Sequence, residues 1–101
     1  MKRTGERWYE AELRRRVGEV HRQKGDREAA ESHFVQAIEI ARGQSAKLFE
    51  LRAAVNLARL WSEQGRRAEA RDLLAPIYHW FTEGFGMRDL KEAKALLDEL
   101  S

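Results

Sequence analysis

Apolar residues recur every three or four positions along most of this chain, and glycines break the pattern at regular intervals. Residues 6–24 carry Tyr9, Leu13, Val17 and Val20 on one face of a helix, with Thr4 as its expected N-cap. Gly25 suits the left-handed position that ends a helix, and Asp26 can cap the next. A second helix is expected over 27–42, with Ala30, Phe34, Ala37, Ile38 and Ala41 inward. Gly43, Gln44 and Ser45 break it, and Ser45 is the expected next cap. Residues 46–64 are apolar almost all round, which marks a central helix buried between neighbours. Gly65 ends it. A fourth helix is expected over 67–83, with Ala70, Leu73, Leu74, Ile77 and Phe81 inward and a kink at Pro76. Gly84 and Gly86 open a turn before a fifth helix at about 88–100, with Leu90, Ala93, Leu96, Leu97 and Leu100 inward.

The first four helices say nearly the same thing twice. GDREAAESHF at 25–34 returns as GRRAEARDLL at 65–74, so Gly25 and Gly65 are expected to occupy the same tight turn. Small residues (Gly18, Ala30, Ala58, Ala70) let paired helices approach, and Phe34 and Leu74 fill the space between them. A hairpin of this kind cannot bury its apolar face alone and stacks on a copy of itself. The fold class is therefore all-α: two hairpins, over 6–43 and 45–83, and a capping helix over 88–100. Arg88, Lys91, Lys94 and Asp98 give that last helix a polar back, as a solenoid end needs. The first helix has no counterpart covering it, so its stripe, with Trp8 and Tyr9, is a candidate self-association surface.

Composition narrows the function. With 101 residues the chain is a single domain or a piece of an array. It has no cysteine, which removes disulfides, thiolate nucleophiles and sulfur-based zinc sites. No apolar run approaches the roughly 20 residues that span a bilayer, and the N-terminus lacks a signal peptide's apolar stretch. A formal charge of +2 is too small to point to nucleic acid. Arg14, Arg15 and Arg16 point about 100° apart on a helix, and Glu10, Glu12 and Glu19 dilute them, so a solvated face is expected. Glu6, Glu10 and Glu12 have no nucleophile or metal partner, and Glu10 and Glu12 find ordinary i, i+4 partners in Arg14 and Arg16. His21, His33 and His79 are far apart and lack metal-site spacing. Trp8, Trp61 and Trp80 read as core before ligand platform: Trp61 lies in the apolar third helix, whereas Trp8 lies off the main stripe and could stand exposed. Catalysis, cofactors and metals are not expected.

Counted from Ala11, the slots hold Gly18, His21, Gly25, Ala30, Phe34 and Ala37; counted from Leu51, they hold Ala58, Trp61, Gly65, Ala70, Leu74 and Ile77. This pattern resembles the tetratricopeptide repeat. It departs in its period of 40 and in Arg14 and Ala54 at the tryptophan slots. The stretch from Leu57 to Leu100, and GERWYEAEL at 5–13, resemble the C-terminal repeat tails of bacterial signalling proteins. Those proteins join a nucleotide-cyclase or DNA-binding domain to an ATPase module. No phosphate-binding GxxxxGK[ST] loop is present here. The resemblance implies a cytoplasmic, non-catalytic module that binds a protein or peptide on the face made by the first helix of each hairpin. By position, that face is Glu12, Arg15, Glu19, Arg22 and Gln23, then Arg52, Val55, Arg59, Ser62 and Glu63. Its arginines suggest acidic segments as ligands; a homodimer is the alternative, and nucleic acid at Arg14–Arg16 a weaker one.

Overall fold

The computed structural model describes residues 7–84 and 86–101, with side chains from Tyr9 onward. The described chain forms five helices: α1 (Arg7–Gln23), α2 (Arg27–Gly43), α3 (Lys47–Glu63), α4 (Arg67–Trp80) and α5 (Arg88–Leu100). Among the described residues there is no strand. Thr4 lies outside them.

The first three helices are each 17 residues long, and one corner design joins the first four. Gly25, Ser45 and Gly65 hold positive φ of 88°, 55° and 83°. The residue after each corner donates its N–H five residues back: Asp26 to His21 at 2.9 Å, Ala46 to Ala41 at 2.9 Å, Arg66 to Trp61 at 2.8 Å. These bonds satisfy carbonyls that a helix end leaves open. Asp26 caps α2 as expected, accepting from the Ala29 N–H at 3.2 Å. Ser45 does not cap α3. It occupies the left-handed corner itself, and Ala46 stands at the cap position without a side-chain bond. The 20-residue spacing of corners overrides local cap preference there.

All five inward residues predicted for α2 are buried. In α1 the outcome differs. Ala11 is buried, and a Cβ built on Gly18 would lie 2.7 Å from the Phe34 ring, so α1 meets α2 through its small residues. The apolar stripe is turned outward: Tyr9 is 66% exposed, Leu13 55% and Val20 49%. Close packing against α2 selects the small face and leaves Leu13 and Val20 about half exposed.

α3 is the centre, packed against each of the other four helices. Eight of its residues are buried, Glu50 among them. The Glu50 carboxylate is held by Arg42 of α2 at 2.7 Å and Lys47 at 3.2 Å, which ties the α2–α3 corner. Trp61 is half-buried, with the Arg66 guanidinium 4.6 Å over its ring. α4 runs through Pro76 and ends at Trp80 rather than at 83. Phe81 is extended there and still packs on the core. Trp80 is 60% exposed and is not a core residue; Phe81 takes the inward direction instead. α5 matches its expected bounds, burying Leu90, Ala93, Leu96 and Leu100 and exposing Lys91, Lys94 and Asp98.

Consecutive helices pack on each other, and α1, α3 and α5 also lie side by side. α2 and α4 make no close backbone approach. The first helices of the hairpins therefore converge while the second helices splay, and a hollow opens along α1, α3 and α5.

Candidate functional site

That hollow is an open groove of about 710 Å³. Small residues hold α1 tightly against α2, and this places the opposite flank of α1 over α3. Glu12, Arg15 and Glu19 then project into the groove from α1, and Arg52, Val55 and Arg59 from α3. These six were expected from their positions in the repeat. Arg22 and Glu63 extend the same face beyond the groove, 3.1 Å apart. Gln23 is exposed and, like Ser62, does not line the groove.

Arg16 also lines the groove without having been expected there, and two further contributions were not read from the sequence. Asn56 links α1 and α3: Arg15 donates to its Oδ1 at 3.0 Å, and its Nδ2 donates to Glu19 at 3.3 Å. Its polarity between Val55 and Leu57 was the available signal. The second is α5, which supplies Arg88, Asp89 and Glu92, with Met87 at its cap. Carrying the 40-residue period once more would have put Glu92 in line with Glu12 and Arg52. α5 is thus a wall of the groove.

The groove floor is a connected polar network. Glu12 is hydrogen-bonded to Arg15, and Arg16 and Arg52 each lie 3.8 Å from its carboxylate. Arg52 continues to Asp89 at 3.0 Å, joining α3 to α5. Arg22 donates to Glu19 at 2.7 Å. Burial is the largest influence on the Glu12 carboxyl and opposes its ionisation. The bond and charge of Arg15, with Arg52 and Arg16, outweigh it and hold Glu12 below the usual carboxylate range. Glu12 therefore stays charged and keeps Arg15, Arg16 and Arg52 partly neutralised. Arg59 and Arg88 are different. Both are exposed in the groove, and neither has an acidic partner among the described residues.

The three consecutive arginines diverge only in part: Arg14 reaches Nδ1 of His33 at 3.5 Å, while Arg15 and the largely exposed Arg16 both line the groove beside Glu12. The histidines are not all apart, however. α1 and α2 stack His21 on His33, with ring centroids 5.3 Å apart and planes within 2°. Sequence spacing misses this because the two rings meet across a corner. No group of three or more metal-binding side chains forms among the described residues, and no described helix is long and apolar enough to cross a membrane. Trp8 has no described side chain; Tyr9 stands at the exposed start of α1.

A family model for the tetratricopeptide repeat matches residues 9–75, and the chain belongs to that family. The matched span covers most of α1, all of α2 and α3, and most of α4. Comparison with curated proteins and with solved structures gave no match. The family is one of protein–protein interaction modules and is generally non-catalytic.

Proposed function

We propose that this chain is a non-catalytic interaction module that takes a carboxylate-bearing segment of a partner protein into the groove of α1, α3 and α5. The observation that carries this is that Arg59 of α3 and Arg88 of the adjacent α5 both line the groove as exposed guanidinium groups that no described carboxylate neutralises. Arg15 and Arg52 are already engaged by Glu12, Asn56 and Asp89, so they order the floor. An incoming carboxylate completes the pairing left open at Arg59 and Arg88. Glu92, exposed on α5, repels carboxylates and so restricts where along the groove such a segment seats. The groove is short and open, so affinity is modest and falls with added salt. The likeness of 57–100 to bacterial C-terminal repeat tails supports a setting as the regulatory segment of a cytoplasmic signalling protein.

The test is fluorescence anisotropy with a labelled glutamate-rich peptide and a lysine-rich control. The acidic peptide should bind and the control should not. The double variant Arg59→Glu with Arg88→Glu should weaken binding at least about tenfold and leave helicity unchanged. Equal binding of both peptides, or no effect of the variant, would sink the proposal.

A further inference from the structure

Two faces of the described helices that no other described helix covers are finished differently. In the 40-residue register, Leu13, Val17 and Val20 of α1 correspond to Ala53, Leu57 and Leu60 of α3. Those three α3 residues are at most 1% exposed, as α3 lies against α2. The α1 residues carry the same apolar character, yet Leu13 and Val20 stand about half exposed. The second such face is on α5. There the register gives Lys91, Lys94 and Asp98, all exposed. An open face made polar is finished for water. An open face kept apolar is finished for contact.

We infer that the α1 stripe is covered by the same stripe of a second copy, with the two α1 helices antiparallel about a two-fold axis near Val17. The charges along α1 fit this occupant. Glu10 and Val17 of α1 and Lys24, the first residue past it, are spaced by seven, and the Lys24 N–H still bonds back to Val20 at 3.1 Å, so Lys24 continues their row. A two-fold axis at Val17 sets Glu10 of one copy opposite Lys24 of the other, and repeats the pair by symmetry. Leu13 then meets Val20 of the second copy, and Val17 meets Val17. A parallel arrangement would instead set Glu10 against Glu10 and Lys24 against Lys24. The groove residues Glu12, Arg15 and Glu19 lie on the other flank of α1, so the dimer leaves the groove open. One helix per copy makes a small interface, so the dimer is weak and concentration-dependent.

Light scattering on the full chain, over a roughly hundredfold concentration range, tests this. The wild type should pass from monomer to dimer. Leu13→Glu with Val20→Glu should stay monomeric throughout, with unchanged helical circular dichroism, since both side chains are exposed. Lys24→Glu should weaken the dimer about tenfold, and Glu10→Lys combined with Lys24→Glu should restore it. The groove variant with Arg59→Glu and Arg88→Glu should dimerise like the wild type, which separates this surface from the groove. A wild type monomeric at every concentration, or a dimer surviving Leu13→Glu with Val20→Glu, would overturn the inference, as would a charge swap that restores nothing.

Discussion

Gly18 of α1 lies so close to Phe34 of α2 that a β-carbon there would stand 2.7 Å from one ring carbon and 2.8 Å from the next. The equivalent pair in the second hairpin is Ala58 with Leu74, both fully buried. The two hairpins thus divide the same space differently: nothing against a ring, or a methyl against a smaller side chain. Gly18→Ala should destabilise the fold by about 1 kcal/mol, an overpacking cost of about 1–3 less roughly 1 from helix propensity. Phe34→Leu alone should open a cavity and also destabilise. Combined, the two changes recreate the Ala58–Leu74 solution. The double variant should be more stable than the sum of the single effects implies, by at least about 0.5 kcal/mol in urea denaturation.

The corners give a second expectation. Ser45 holds a φ of 55° that an L-residue adopts at a cost, where the equivalent positions hold glycine. Ser45→Gly should raise stability by up to about 1 kcal/mol, and Gly25→Ala and Gly65→Ala should lower it by about 1. No heavy atom lies within 4 Å of a Cβ built at either glycine, so the loss is conformational. Thermal melts of the three variants would check the opposite signs.

The stacked histidines predict a pH dependence. Burial, then the charges of His21 and Arg14, push His33 below its ordinary value of 6.5. The folded chain thus favours the neutral ring more than the unfolded chain does. The contribution is full above about pH 6.5 and is lost as pH falls from there through the lower folded value. In the second hairpin these two positions hold Trp61 and Leu73. His33→Leu should flatten the fall in melting temperature between about pH 6.5 and 5. Glu12 acts in a separate window. Its contribution is present above about 4.5 and is lost as pH falls below that through its lowered folded value.

Glu50 is 2% exposed and ionically held, yet its counterpart one period later is the buried Leu90. Arg42 is largely exposed and Lys47 partly so, and both can turn to water once released. Glu50→Leu should therefore be neutral or stabilising, by up to about 2 kcal/mol, while Glu50→Ala should destabilise through lost packing. Chemical denaturation of the two variants side by side distinguishes these signs.

Much of the architecture was legible along the chain because it is local and periodic. The five helices, the inward face of α2, the glycine corners and the tight approach at Gly18 follow from spacing, propensity and the repeat. Six of the expected groove residues, Glu12 and Arg52 among them, could be placed because a helix fixes which positions share a face. The tertiary structure decided what depends on rotation and on contacts across corners. It turned Leu13 and Val20 of α1 outward, because α1 packs on its small residues. It set Ser45 at a left-handed corner, because the corner geometry recurs every 20 residues. It stacked His21 on His33 and set Asn56 between Arg15 and Glu19. It made α5 a groove wall, because the first helices of the hairpins converge while α2 and α4 splay. Sequence determines the periodic elements; which faces meet is settled only when competing faces are packed at once.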